Sequence, residues 1–459
     1  MNDHKQESSR QKNHKPLIKT VLFLLILAFA VNKLQYLFGL GDYSIYSRET
    51  GFKQERNDSL DAVYIGASHV FSFFQPPLAW NDYGIAVFSY AIPSMPPYTV
   101  KYRIIEARKT QPDALYIINL NCFKNTEVKT QAIHRSVDYM PWSKNKLEMM
   151  DTMLDHSDFE GMDRLEFYFP MLRFHSRWCE LSDADFKHTL NNADGLKGAY
   201  TYNPFLTASE DQTKRYKFVD KREELTEDQE LILYDLLDYI DQEDVNVLFV
   251  TVPQMLDSES LGQINTIEDI VQERGYDYLD LMDNGSDYQL KMDTDYHDSN
   301  HINIHGSIKF TKYLSEYLIE NYGFNDKREE SGWDSWNASV TKYADIIGPY
   351  CLDIEREHAP RDYSLSEPQN AICKSKDSGV SLQWDAVADA EGYAIYRKTK
   401  GENKNYWTRL GDTADTEYMD SEVGKETEYT YTIVPYRSVE GQLRYGNFDF
   451  SGYTVKTGK

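Results

Sequence analysis

Two short blocks hold residue types that together could perform nucleophilic chemistry. The first is DAVYIGASHV, residues 61–70, where a strand-forming run, Ala62-Val63-Tyr64-Ile65, stops at Gly66-Ala67-Ser68-His69. Such a run fits a buried parallel strand. The small residues behind it permit a tight turn that presents a serine at the strand's carboxyl end. The second block is DTDYHDSNHINIHGSIKF, residues 293–310, with Asp298 and His301 in a D-x-x-H arrangement, followed by Asn303 and Gly306. A serine hydroxyl is a poor nucleophile near neutral pH. It needs a base within hydrogen-bond reach, and the base needs an acid to orient it. Histidine suits the base role, and an aspartate three residues earlier on the same loop can accept its Nδ1–H. The expected catalytic set is Ser68, His301 and Asp298. Taken singly, Gly-Ala-Ser also reads as a loop cap, and D-x-x-H as a polar helix cap with a solvated histidine. The pairing favours catalysis.

Other groups near these blocks have plainer readings. His305 follows His301 by four residues, a spacing that sets two imidazoles on one helical face. That raises a metal pair, also flanked by His297. No H-E-x-x-H is present and Gly306 points to a turn, so neither a metal nor a cofactor is expected. His69 is expected to pack or hydrogen-bond locally, with substrate contact as the alternative. Arg177, in FHSRW at 174–178, fits either a sugar carboxylate or a structural ion pair.

The elements that must position the two blocks follow from the pattern of apolar residues. Strands are expected at 62–66, 85–91, 114–120, 245–252 and 276–281, and helices at 97–109, 223–242, 262–274 and 306–322. This alternation predicts an α/β domain with a doubly wound parallel sheet in three layers. In such a sheet the loops after the first and last strands both lie at the carboxyl edge, where they can meet. Residues 122–222, rich in aromatics, form an insertion inside this domain, of a length that suits a lid or substrate-side subdomain.

The ends of the chain differ from its middle. Lys5, Arg10, Lys12, Lys15 and Lys19 precede VLFLLILAFAV at 21–31, which has no polar side chain. A signal peptide cleaved near Ala28-Phe29-Ala30 is one reading. The favoured one is an anchor over 17–40, with a cytoplasmic tail at 1–16, Tyr36 and Phe38 at the interface and the body exported. Residues 41–57 read as a polar spacer. The 459-residue chain has a formal net charge of −25, which argues against a nucleic-acid partner. An anionic membrane surface or polyanion is also an unexpected partner for the main body. Cys122, Cys179, Cys351 and Cys373 show no C-x-x-C spacing, and Cys351 with Cys373 is the pair to inspect for a bridge. Residues 326–365 read as a helix, Trp333 to Ile347, and a polar linker. From 366 to 459, short alternating strands with polar turns indicate an all-β sandwich.

Two resemblances attach to these residues. The C-terminal segment resembles a fibronectin type III module, through Trp384 in the second strand, Tyr396 in the third, Tyr418–Asp420, and Tyr429 with Tyr431 in the sixth. That resemblance implies an adhesive or spacing module without chemistry. Residues 58–325 resemble the SGNH/GDSL hydrolase superfamily, in which the serine follows strand one and D-x-x-H closes the fold. The blocks Gly66-Ala67-Ser68-His69 and DSNHINIHG, 298–306, are most similar to the membrane-anchored branch that includes alginate O-acetylation proteins and the D-alanine transfer protein of teichoic acid. The superfamily's oxyanion hole combines the serine N–H, a glycine N–H after strand two and an asparagine after strand three. Here SYAIPSMPPY, 89–98, has no glycine, so the resemblance places Ala91 or Ser94 in that role; Pro93 has no N–H. Asn121 is the expected asparagine, ahead of Asn119, which lies deeper in the strand.

The function expected is a membrane-anchored, extracytoplasmic serine esterase or O-acyltransferase acting on acyl esters of cell-surface polysaccharide. The resemblance also implies a multi-pass membrane acyltransferase as partner. The alternative is a decayed hydrolase fold serving as a surface-binding module.

Overall fold

The computed structural model describes residues 15–159, 162–187, 195–202, 220–254, 256–282, 290, 295–357, 359–362, 364–400, 407–449 and 451–458. Most of the basic tail, with Lys5, Arg10 and Lys12, lies outside the described residues, as does part of the insertion.

Five strands make the first sheet: β1 Ala62–Gly66, β2 Val87–Ala91, β3 Leu115–Asn119, β4 Val247–Thr251 and β5 Asp277–Asp280. Their order is β2-β1-β3-β4-β5 and every pairing is parallel. The chain moves from β1 outward to β2 and then crosses to β3, so a topological switch point opens at β1/β3, where α/β sheets receive ligands. Successive residues face opposite layers. Val63, Ile65, Tyr116, Ile118 and Phe249 belong to one core, and Ala62, Tyr64, Leu115, Ile117 and Leu248 to the other. Burial on both faces is why these strands read as unbroken apolar runs; each valine, leucine, isoleucine or phenylalanine among them contributes roughly 1.5–3 kcal/mol when fully buried.

The second core is covered by α3 Ser68–Phe73, α4 Pro76–Tyr83 and α13 Ile304–Tyr322. The first is covered by α5 Val100–Arg108, α11 Glu227–Glu243 and α12 Ser258–Glu273. The insertion adds α6 Thr130–Val137, α7 Lys144–Asp155 and α8 Met162–Tyr168 to that core, followed by α9 Pro170–Phe174 and α10 Asp183–Lys187. Boundaries move where caps decide them. The helix expected at 223–242 begins at Glu227 because Thr226 and Gln229 form a capping box. Pro97 starts a 3-10 turn, so α5 proper begins only at Val100.

Residues 41–57, expected to be a spacer, instead hold a packed helix, α2 Tyr43–Gln54. Ile45 and Phe52 are buried, and so are the charges of Arg48 and Glu49. Glu49 pairs with Arg103 and accepts from the Tyr90 hydroxyl at 2.9 Å. Arg48 sits 4.2 Å from the Phe71 ring centre. A helix that buries an ion pair has no apolar periodicity to betray it.

Helix α1, Lys15–Leu37, is long and apolar enough to cross a membrane or serve as a signal sequence, and no residue of its apolar Pro16–Gln35 stretch is fully buried. After α13 come α14 Asp334–Ile347 and the short α15 Asp353–Arg356. The C-terminal part is a sandwich of antiparallel sheets. One runs β10-β7-β6, and the other β12-β11-β8-β9, with β13 on β11. The strands are β6 Ile372–Lys376, β7 Gly379–Gln383, β8 Gly392–Thr399, β9 Thr408–Thr413, β10 Glu417–Asp420, β11 Glu428–Val439, β12 Gln442–Tyr445 and β13 Tyr453–Lys456. Trp384 is buried just past β7 with its ring 5.2 Å from that of Tyr393. Buried Asp420 takes the Tyr431 hydroxyl at 2.7 Å and Arg397 at 2.8 Å.

Candidate active site

The end of β1 dictates where Ser68 stands. A Cβ at Gly66 would lie 2.7 Å from Val70 Cγ2 and 2.8 Å from Asn119 Cβ, so only glycine lets β1, β3 and α3 close together here. Ala67 turns the chain in extended conformation, and Ser68 is the first residue of α3.

The other half of the site is built by a loop that doubles back on itself. Tyr296 and Ile302 form an antiparallel bridge, and the His297 N–H donates to the His301 carbonyl at 2.9 Å. Asn303 then caps α13, its side-chain oxygen accepting from the N–H groups of His305 at 2.9 Å and Gly306 at 3.3 Å. A Cβ at Gly306 would meet the Asp295 carbonyl oxygen at 2.6 Å, which explains the glycine three residues after the cap. Asn303 is thus the helix cap, and Asp298 is left to serve His301.

The two blocks meet. His301 Nε2 lies 2.7 Å from Ser68 Oγ, while His301 Nδ1 lies 2.9 and 3.0 Å from the two oxygens of Asp298. With a carboxylate on Nδ1, that nitrogen carries the proton and Nε2 accepts from the serine hydroxyl. Burial raises the Asp298 pKa, but hydrogen bonds from the His301 ring and the Asn300 and His301 backbone N–H groups outweigh it and hold the carboxyl below its ordinary value. The carboxylate therefore stays charged beside its imidazole. His69 is buried and lies with its ring centre 6.2 Å from that of His301. Burial, helped by Lys124 and His301, keeps it neutral, its pKa lowered well below the ordinary value.

Ser68 opens into a cavity of about 340 Å³ lined by His69, Ser94, Asn121, Lys124, Arg135 and Asn300 among others. The residues expected to stabilise an oxyanion fall in different places. None of the described hydrogen bonds uses the Ser68 N–H, which points from the first turn of α3. Ala91, the other expected donor, is paired in register with Gly66 and is not among the residues that line the cavity. Ser94 does line it, with φ +54. That is the left-handed backbone glycine would adopt without strain. Asn121 reaches the cavity wall, but its amide is spent. Nδ2 donates to the Val252 carbonyl at 3.0 Å and to Gln254 Oε1 at 3.3 Å, and Oδ1 accepts from the Val252 N–H at 2.8 Å. Gln254 in turn donates to Asn300 Oδ1 at 2.5 Å. Asn121 thus tethers the D-x-x-H loop to the sheet. Asn119 is buried, its side chain accepting from the Asn121 N–H at 3.0 Å.

Tyr202 was not singled out by the sequence. Its ring lies between those of His297, 4.3 Å away, and His301, 4.9 Å away, and its carbonyl accepts from the Ile304 N–H at 3.1 Å. The alternating tyrosines of GAYTYNP, 198–204, are the signal that could have found it. Arg177 lies outside the cavity lining and is structural, pairing with Asp185 at 2.7 Å. His305 turns away from His301: its Nδ1 meets Glu355 Oε1 at 2.6 Å. His305, Cys351 and Glu355 each bring a possible ligand atom within 4.8 Å of the others, but they sit at the junction with the C-terminal part and not at Ser68. None of the four cysteines is bridged, Cys351 and Cys373 included.

No protein-family model matches the chain, and no curated protein matches it. Solved structures to which it is similar are fibronectin type III domains. The FN5 domain of Drosophila Lar is 16% identical with a TM-score of 0.18, over 21% of this chain and 98% of that one. FN3tt is 18% identical with a TM-score of 0.17, over 20% and 95%. An FN3 domain of human collagen XX is 18% identical with a TM-score of 0.15, over 22% and 98%. None of these three bears on the hydrolase resemblance, and the sandwich stands on its own strand pairing.

Proposed function

We propose that this chain is a membrane-tethered serine esterase or O-acyltransferase whose substrate is an acyl, most simply acetyl, ester of an extracytoplasmic carbohydrate. The observation that carries the reading is the 2.7 Å approach of His301 Nε2 to Ser68 Oγ with Asp298 on the far nitrogen. Ser68 Oγ attacks the ester carbonyl as His301 takes its proton. The oxyanion is met by the Ser68 N–H, with the Ser94 N–H as second donor, at the start of α3. Collapse breaks the ester C–O bond, and His301 returns the proton to the departing sugar oxygen. Water or a second hydroxyl, deprotonated by His301, then releases the acyl group. Tyr202 shields one face of the imidazole, which favours a sugar acceptor over water. The membrane tether would hold the domain beside a multi-pass acyltransferase supplying the donor.

The cavity rim modifies the expectation drawn from net charge. Lys124, Lys129 and Arg135 line it; Lys129 pairs with Glu127 at 3.1 Å and Arg135 with Asp42 at 3.7 Å, while no ion pair to Lys124 occurs among the described residues. The Lys124 ammonium is the cation left to meet a carboxylate or phosphate on the carbohydrate, despite the acidic whole.

A second reading, a decayed fold that only binds, is favoured by the engaged amide of Asn121. Hydrolysis of p-nitrophenyl acetate by the full chain separates the two. Turnover that falls roughly 10⁴–10⁶-fold in both Ser68→Ala and His301→Ala supports catalysis. A background rate identical in wild type and both variants supports the binding module.

A further inference from the structure

The stretch from 165 to 186 exposes large apolar side chains while gripping the end of α1. Leu172, Trp178 and Phe186 are 49%, 69% and 56% exposed, and Leu165 and Phe169 are exposed beside them. The grip is polar. Arg177 Nη1 donates to the carbonyls of Leu37 at 3.2 Å and Gly39 at 2.7 Å, and Nη2 pairs with Asp185. The Tyr43 hydroxyl donates to the same carboxylate. Helix α9 also packs against α1. On the inner side, Phe167 is buried with its ring centre 4.9 Å from that of His134, so the outward face is fixed rather than frayed. Groups that clasp α1 thus neighbour the exposed apolar groups in sequence: Trp178 follows Arg177, and Phe186 follows Asp185.

We propose that residues 165–186 form a foot resting in the headgroup region of the bilayer that α1 enters, with Leu172, Trp178 and Phe186 in contact with lipid. This rests on the anchor reading of α1. The apolar span of α1 ends at Gln35, and the foot is bound at Leu37 and Gly39, so its height is that of the interface. Tryptophan and phenylalanine beside arginine suit that layer. An exposed apolar face of this composition calls for a cover, and lipid is the cover already required by α1.

Cys179, exposed and adjacent to Trp178, supplies the probe. A nitroxide is attached to it in the full chain reconstituted into phosphatidylcholine–phosphatidylglycerol vesicles, with Cys179→Ser as labelling control. Greater accessibility of the nitroxide to oxygen than to a polar nickel chelate, reversed in Trp178→Asp, is the expected result. Greater accessibility to the nickel chelate in the wild type overturns the foot and leaves the face to a protein partner. Alkaline carbonate extraction of the same vesicles tests the anchor separately. A retained chain with an aqueous label sinks the foot alone, whereas an extracted chain sinks the anchor, with the label still deciding for or against the foot.

Discussion

Ser68 and His301 stand 233 positions apart, yet their contact was legible because each lies in a short block whose chemistry is local. Asp298 has a narrower role, since its carboxylate fixes the imidazole tautomer. Asp298→Asn keeps the size and loses the charge, so kcat on an acyl ester is expected to fall roughly 10³–10⁴-fold with little change in KM. The sign of its pH effect is fixed as well. A carboxyl depressed in the folded state stabilises above its unfolded pKa, about 3.9, and loses that contribution as pH falls through the lower folded value. Urea unfolding of wild type and Asp298→Asn should therefore diverge near neutral pH and converge in strong acid. Other residues were not legible at this scale. Asn121 has the type of an oxyanion donor, but type does not reveal that Val252 and Gln254 consume its amide. Ser94 shows its left-handed backbone only once folded.

Element by element, the parallel strands were readable because burial on both faces leaves an unbroken apolar run. Helix α2 was not, since its interior holds Arg48 and Glu49, and a buried ion pair looks like surface in a sequence. The step from the D-x-x-H loop into α13 joins the candidate site to the second core. Asn303, two residues after His301, caps that helix, and His301 in turn meets Ser68. Asn303→Ala is expected to lower stability by about 1 kcal/mol and turnover by roughly 10–100-fold. Chemical denaturation beside steady-state kinetics checks this, because a purely structural cap would lower the folded fraction and leave the turnover of folded enzyme unchanged.

For the molecule as a whole, the segment read as a linker is a clamp. Glu355 lies within reach of His305 in α13, while Asp353 accepts the Tyr396 hydroxyl of the sandwich at 2.6 Å. Leu352 and Ile354 share a core with Tyr396, Trp407 and Phe448. Burial works against the Glu355 charge, but His305, with Arg361 behind it, keeps its pKa below the ordinary value. His305→Ala removes one partner of that carboxylate, which keeps the Leu352 N–H at 3.0 Å, and should destabilise the protein by about 1–3 kcal/mol, read as a lowered calorimetric Tm. An unchanged Tm would mean that the two halves hold together without the pair. Sequence periodicity found both halves of the chain, but a junction made of single residues has no period to find.

Covalent capture asks whether Ser68 is an activated nucleophile. The full chain in detergent would be treated with a fluorophosphonate and the adduct located by peptide mass spectrometry, alongside His301→Ala. One adduct is expected, on Ser68, formed at least roughly 10³-fold more slowly without the imidazole. A folded protein that takes no label at Ser68, or labels equally fast without His301, would contradict that activation.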